Sequence, residues 1–406
     1  MIDRRMFLQQ SGLLGASVLL SDNLVAKSLE KNGNETIKIG MIGCGDRGKG
    51  VLSVIKGLPD LFTIRSYCDV LDFRLEETKK AIGLPEKGIY KNHLKMLEDK
   101  ELDAVYIAVP LSAHFVVAKD ALEAGKHVYL EKTMTFTIEQ AKQLVQLAQK
   151  YADQTIQIGY QYRYSPLYFK VKEMISSGFL GKVSQIDCRW DRNGDWRRKV
   201  PEPGLERQIN WRMYKEYSGG LAAELLSHQI DFINWAFDTH PDEIVGTGGI
   251  DIYPDGRETF DNLQVMFRYK KAGMIGNFGA TCGNARDGYL FKIKGTKGTV
   301  SLLTDTGLYF PEKEAKAALQ TVDGVSGATK LVWNKEGGTP ILPEPTKDGT
   351  WYALQEFHKA IKTKQMPSSN VYRGASAAIC VALANQSAYH ERISYWKPEY
   401  DFVSQD

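Results

Sequence analysis

Three residues in the middle of this sequence have the types and spacing for proton chemistry. Glu224, His228 and Asp231 stand four and three positions apart in the run Gly219-Gly220-Leu221-Ala222-Ala223-Glu224-Leu225-Leu226-Ser227-His228-Gln229-Ile230-Asp231. On an α-helix that spacing puts all three on one face. A carboxylate next to an imidazole fixes its tautomer and raises its basicity, as a general base near neutral pH requires. The trio also has metal-ligating side-chain types, but nothing else in the sequence completes a ligand set, so no metal is expected. Lys132 is a fourth candidate. It follows His127 to Leu130, which reads as a parallel strand, and doubly wound sheets bind ligands just outside the carboxyl ends of such strands. A lysine there can stabilise a developing alkoxide or relay a proton.

The second chemical signal is Gly43-Cys44-Gly45-Asp46-Arg47-Gly48. Its glycines suit a tight turn at Gly43, close approach of a pyrophosphate at Gly45 and helix-on-strand packing at Gly48. Asp69 follows about 20 residues later, where an acidic side chain accepts hydrogen bonds from the adenosine ribose and disfavours a 2′-phosphate. This points to NAD, with NADP left open because Arg47 and Arg74 can offset the repulsion. Two aromatic stretches have the mixture that suits a sugar: Gln161-Tyr162-Arg163-Tyr164 and Trp190 to Arg198, including Trp196. Their ring faces match C–H surfaces and their polar groups match hydroxyls. Tyr162, Arg163, Trp196 and Asp231 are the substrate-binding candidates. Arg197, Arg198 and Lys199 read as solvated surface charge.

These residues need a scaffold that brings them to one crevice. Thr36 to Ile42 reads as a buried strand running into the glycine turn, where a helix can start. Strand Phe62 to Cys68, helix Phe73 to Ile82, strand Ala104 to Val109, helix Phe115 to Ala124 and strand His127 to Leu130 follow. That alternation predicts an α/β fold with a doubly wound parallel sheet, the Rossmann arrangement. Beyond about Tyr151 the rhythm changes to one helix, Leu167 to Ser177, and longer strands: Lys182 to Trp190, Asn262 to Tyr269, Gly273 to Thr281, Tyr289 to Lys294 and Thr299 to Leu303. Leu263, Val265, Phe267 and Tyr269 alternate with residues of the other face, polar except for Met266, which predicts a large, mostly antiparallel open sheet in a C-terminal α+β domain. Pro340 to Thr350 reads as a loop, and Trp351 to Lys362 and Gly374 to Tyr389 as helices. The expected units are 1–35, an export signal and linker; 36–155, the dinucleotide-binding domain; 156–350, the substrate-binding domain; and 351–406, helices packing back on the body.

From Thr36 onward the chain resembles the Gfo/Idh/MocA oxidoreductases, named for glucose-fructose oxidoreductase and inositol dehydrogenase. The resemblance rests on Val109-Pro110-Leu111-Ser112-Ala113-His114 and on Ala121-Leu122-Glu123-Ala124-Gly125-Lys126-His127-Val128-Tyr129-Leu130-Glu131-Lys132, which matches the family's strand-end Pro, its His, "ALeaGkHV" and "EKP". It extends to the "GG…D…H..D" pattern at Gly219 to Asp231, with Glu224 in place of Asp, while Thr133 stands in place of the Pro of EKP. The resemblance implies that Pro110, His114 and Glu131 flank the cofactor with Asp46 and Arg47 of the glycine turn. It further implies that Lys132 reaches the substrate, that His228 is the catalytic base and that the family often carries Arg at a position like Arg163. It also implies a homo-oligomer, a dimer or tetramer.

Bulk properties narrow the remaining classes. A chain of 406 residues, 43% hydrophobic and 25% charged, is long enough for two cores and a cleft between them. A net charge of +3 argues against nucleic acid as a partner. Cys44, Cys68, Cys188, Cys282 and Cys380 are odd in number and scattered, which fits buried small hydrophobes rather than a disulfide framework or a zinc site. At the start, Arg4 and Arg5 precede the mostly apolar run Gly12 to Leu20, too short to span a bilayer. This segment resembles a twin-arginine export signal and implies a periplasmic protein. The expected activity is NAD(P)-dependent hydride transfer at a hydroxyl carbon of a sugar, polyol or glycoside, with Lys132, His228 and Glu224 as catalytic residues. The alternative is a redox-neutral glycosidase or lyase that uses tightly bound NAD through a keto-sugar intermediate.

Overall fold

The computed structural model describes residues 36–83, 88–286, 288–312 and 337–402; the export-signal segment lies outside them. The first unit starts with β1 (Ile37–Ile42), whose apolar residues are buried on both faces, as a strand covered by helices on each side must be. Helix α1 (Asp46–Lys56) leaves the glycine turn and lays Val51, Leu52 and Ile55 on the sheet. Then come β2 (Phe62–Cys68), α2 (Asp72–Ile82), the short β3 (Ile89–Tyr90), α3 (His93–Leu97), β4 (Ala104–Ile107), α4 (His114–Glu123), β5 (His127–Leu130), α5 (Ile138–Lys150) and β6 (Ile156–Ile158). The six strands are all parallel, in the order β3-β2-β1-β4-β5-β6. The order reverses between β1 and β4, and a crevice opens at their carboxyl ends, the position at which such sheets hold ligands.

The sheet is two strands longer than the sequence rhythm suggests, because the short β3 pairs with β2 at one edge and β6 pairs with β5 beyond Tyr151 at the other. Helix α5 precedes it and has a full capping box: the Thr137 hydroxyl accepts from the Gln140 amide while the Gln140 side chain accepts from the Thr137 amide.

The second unit begins with α6 (Pro166–Ser176) and β7 (Val183–Trp190). A helical segment, Ala222 to Ala236, opens with a π-helical turn over Ala222–Leu226 and continues as α7 (Ser227–Ala236). The remaining strands are β8 (Glu243–Gly249), β9 (Asn262–Tyr269), β10 (Met274–Thr281), β11 (Tyr289–Gly295), β12 (Gly298–Leu302), β13 (Gly307–Pro311), β14 (Thr339–Pro340) and β15 (Ser394–Tyr395). They form a nine-stranded sheet, β14-β13-β12-β11-β7-β10-β9-β8-β15. Only the β7–β10 pair in it is parallel. In β9 the residues Leu263, Val265, Phe267 and Tyr269 are buried, and Met266 lies 45% exposed on the outer face with the polar residues.

Helix α8 (Gly349–Thr363) returns to the first unit, where Ala353, Leu354 and Phe357 share a core with Val51, Leu52 and Ile55. Helix α9 (Val371–His390) packs against α5, α7 and β8. The C-terminal helices thus lean on both units. All five cysteines are buried and unpaired. Among the described residues no helix is long and apolar enough to cross a membrane.

Candidate active site

Glycine is required at two places in the turn after β1. Gly43 adopts φ +97°, and a Cβ on it would lie 2.3 Å from the Ala108 carbonyl oxygen. A Cβ on Gly48 would lie 1.9 Å from the Gly43 carbonyl oxygen. Gly45 differs: a Cβ there would meet only the Arg74 guanidinium, at 3.7 Å, so the space above it is open to the crevice. Helix α1 has no side-chain N-cap, which leaves first-turn amides and the helix dipole facing that space. This is a cradle for a pyrophosphate, and the residues present therefore fit a dinucleotide.

Asp69 closes the turn from the end of β2. Its carboxylate accepts from the Cys44 amide at 2.7 Å and the Leu71 amide at 2.9 Å, and Arg74 lies 3.9 Å away. It lines an apolar cavity of about 480 Å³ with Val70, Pro110, Val116 and Trp211, a suitable place for an adenosine. Arg47 does not stand at that end. Its Nε donates to Glu131 at 2.6 Å, and its terminal nitrogens donate to Thr350 and Tyr106. Of the two arginines expected to offset Asp69, only Arg74 is placed to do so.

A second cavity of about 550 Å³ runs from Gly45, Asp46 and Arg47 past Pro110, His114 and Glu131 to Lys132 and Glu224. Pro110, Trp211 and Arg74 line both cavities, so the two form one crevice. Glu131 is 6% exposed and accepts from Arg47 and from the Tyr106 hydroxyl. Burial alone would raise its carboxyl, but the Arg47 charge and these hydrogen bonds hold it below the usual range. His114 is buried with its ring nitrogens 2.8 Å from the Thr133 carbonyl and 3.0 Å from the Val109 carbonyl. It thereby pins the loop after β4 to the loop after β5, and burial lowers its pKa.

Lys132 projects from the end of β5 into the crevice, and its ammonium donates to the Glu224 backbone carbonyl at 2.8 Å. Burial pulls its pKa below the ordinary lysine value, against the pull of the Glu224 and Glu131 charges. The Lys132–Thr133 peptide is cis, and the Thr133 hydroxyl donates to the Ala223 carbonyl at 3.1 Å. Both acceptors lie in the π-helical turn, where widened winding changes which carbonyls the helix itself uses.

The same turn corrects the expectation for Glu224. Its side chain is not the partner of His228: Glu224 Oε2 accepts from Arg212 Nε at 2.7 Å. Spacing of four aligns two side chains only at 3.6 residues per turn, and Glu224 sits in a stretch that is wound more widely. His228 Nδ1 is buried without a hydrogen-bond partner among the described residues. Its ring lies 4.8 Å from that of Tyr162 and 5.6 Å from that of Trp190. Burial, then the Lys132 and Arg47 charges, push its pKa well down. The imidazole is neutral at neutral pH.

The substrate-wall candidates are placed elsewhere. Asp231 pairs with Arg163, Nε to Oδ2 at 3.1 Å and Nη2 to Oδ1, with side chains 2% and 1% exposed. This is a buried structural pair. Tyr162 stacks within an aromatic cluster with Tyr168, Trp190 and Tyr289, and Trp196 packs against the core. None of the four lines either cavity. Gln161, Arg198, Lys199, Trp211 and Arg212 do line the larger one. Arg198 and Lys199 are exposed, as expected of surface charge, and also border the crevice, whereas Arg197 is half-buried and held by Asp255 and Glu206. Trp211 and Arg212 lie in Asn210-Trp211-Arg212, a short stretch just before Gly219 whose lack of periodicity gave no signal.

Comparison with known proteins decides the family. Residues 37–160 match a model described as "Oxidoreductase family, NAD-binding Rossmann fold", and residues 168–301 match the GFO/IDH/MocA C-terminal domain. The chain belongs to the Gfo/Idh/MocA oxidoreductase family. Its first unit is an NAD-binding Rossmann domain. Among Gfo/Idh/MocA relatives, it is 30% identical to Oxidoreductase P35 of Formosa agariphila over 48% of this chain and 59% of that one. It is 26% identical to inositol 2-dehydrogenase of Salmonella paratyphi B over 49% of this chain and 54% of that one. The matched stretches thus span little more than half the length of these two relatives. The fold is also that of levoglucosan dehydrogenase in complex with NADH and levoglucosan, with a TM-score of 0.70, 21% identity, and coverage of 89% of this chain and 99% of that one.

Proposed function

We propose that this chain is an NAD(P)-dependent oxidoreductase acting at a hydroxyl carbon of a sugar, polyol or glycoside. The observation that carries the reading is Lys132, a half-buried ammonium at the carboxyl end of β5, held by the π-helical turn and lining the same cavity as the glycine turn. Bound in this crevice, NAD would supply the hydride acceptor or donor. Lys132, its proton made easier to lose by burial, holds or takes the hydroxyl proton and stabilises the alkoxide. His228, neutral and with a free Nδ1 among the described residues, is the second proton acceptor; its ring lies 4.8 Å from that of Tyr162, and it does not line the crevice. Glu224 acts on Arg212 and, through its carbonyl, on Lys132. Lys132→Ala and His228→Ala are each expected to lower kcat at least about a hundredfold, with nucleotide affinity retained. Steady-state kinetics beside NADH titration checks this, and near-normal turnover of either variant removes that residue from the mechanism.

One observation supports a second reading, a redox-neutral glycosidase with retained NAD. Arg207, Gln208, Trp211 and Tyr217 of the second unit line the adenosine-side cavity, and contacts from them to a bound nucleotide would slow its exchange. For location, we propose export to the periplasm on the strength of Arg4, Arg5 and the run Gly12 to Leu20.

A further inference from the structure

The crevice carries more positive charge than oxidised NAD neutralises. Seven cationic and four acidic side chains line the 550 Å³ cavity. Each acid already has a cation: Asp46 with Arg198, Glu131 with Arg47, Glu77 with Lys49 and Glu224 with Arg212. Of the other three cations Arg74 has Asp69 at 3.9 Å, which leaves Lys132 and Lys199. NAD in its oxidised form has two pyrophosphate charges against one on the nicotinamide, so it cancels only one of these two positive charges. Lys199 lines the cavity without an acidic partner among the described residues.

The backbone next to Lys199 is anchored, while its side chain is exposed. Asn210, 3% exposed, accepts from the Arg198 amide at 2.7 Å and donates to the Arg198 carbonyl at 3.2 Å. This two-point clasp holds the backbone beside Lys199 against the chain leading into Trp211 and Arg212. The Arg212 guanidinium stacks over the Trp211 ring at 4.3 Å and uses Nε on Glu224. Its two terminal nitrogens have no hydrogen-bond partner among the described residues, and its side chain is 37% exposed at the cavity. A planar guanidinium braced at its face and at Nε presents the fork that carboxylates bind with two parallel hydrogen bonds.

We propose that the substrate is an acidic sugar, one bearing a carboxylate, and that Arg212 and Lys199 together bind that carboxylate. The proposal rests on the sugar-oxidoreductase reading and deepens it. Arg212 bridges the bound carboxylate and Glu224, so the added negative charge is screened from Glu224, and Lys199 supplies the remaining cation. Neutral sugars of the same ring lack the group that these cations require.

Two measurements on the full chain test this. In the first, NAD reduction is followed with sugars that differ only at C6: glucose against glucuronate, and galactose against galacturonate. The expected result is a preference in kcat/KM of at least about tenfold for the uronate of one pair, weakening as salt is added and collapsing in Lys199→Gln and Arg212→Gln. Equal or greater activity on the neutral sugar in both pairs overturns the proposal. In the second, calorimetry titrates the same uronates into protein saturated with NADH, which reads binding without turnover. Uronate binding that weakens at least about tenfold in either variant supports the anion site even if no sugar is oxidised, in which case the oxidoreductase reading alone fails. Absence of uronate binding, or variants whose loss is confined to NADH affinity, overturns the proposal and assigns these cations to the pyrophosphate.

Discussion

Arg163 and Asp231 face each other with almost no solvent, at 1% and 2% exposure. Burial pushes the Asp231 carboxyl up to about 6 even with the guanidinium beside it, so the charged pair persists at neutral pH only because both partners are present. Removing one partner of a buried pair leaves an uncompensated charge and costs about 3–5 kcal/mol. Arg163→Met is therefore expected to lower unfolding stability by that amount, read by urea denaturation, while the relative activity toward different sugars stays as in the parent. A change in sugar preference without loss of stability would return Arg163 to the substrate wall. Sequence spacing brought Asp231 and Glu224 toward His228 because it assumes regular α-helical winding. The π-helical turn at Ala222–Leu226 and the long-range arginines at 163 and 212, which belong to other elements, redirect both carboxylates. Lys132 was legible because its location depends only on ending a parallel strand. Arg212 was not, since its partner Glu224 is reached through the fold rather than along one helix.

At the scale of elements, the turn between β1 and α1 separates structural from ligand-facing glycines. A methyl group at Gly48 collides with the Gly43 carbonyl, whereas one at Gly45 meets only the Arg74 side chain at ordinary contact distance. Gly48→Ala is expected to lower both thermal stability and NADH affinity. Gly45→Ala is expected to keep the melting temperature and weaken NADH binding at least about tenfold, because the methyl occupies the space of the pyrophosphate. Differential scanning fluorimetry and NADH titration check both, and unchanged NADH affinity in Gly45→Ala places the pyrophosphate elsewhere. Strands β5 and β9 were legible to the residue, β5 from its apolar run Val128 to Leu130 and β9 from an alternation broken only by Met266; β2 was found with the same bounds although Thr63, Arg65 and Ser66 interrupt its apolar residues. Strand β8, Glu243-Ile-Val-Gly-Thr-Gly-Gly, was not: three glycines and partial exposure erase the alternation, and the strand exists by pairing with β9 and β15. Strand β6 has only three residues and is held by β5, so its place in the parallel sheet is a tertiary fact.

At the scale of the molecule, the parallel sheet supplies one wall of the crevice, and the segment from Arg198 to Tyr217 supplies the other. If the periplasmic proposal holds, fusing residues 1–28 to a reporter should deliver it outside the cytoplasm, and Arg4→Lys with Arg5→Lys should stop delivery, because a receptor reads the pair. A reporter that stays inside in both fusions contradicts export. The two catalytic readings are separated by what happens to the nucleotide, since a dehydrogenase must exchange it each turnover and a redox-neutral enzyme need not. The most direct measurement is the stoichiometry of NADH formed against sugar oxidised, followed by NADH absorbance with product analysis over many turnovers. One NADH released per oxidised sugar, with no aglycone liberated, is the expected result; sustained aglycone release at constant NADH would contradict it.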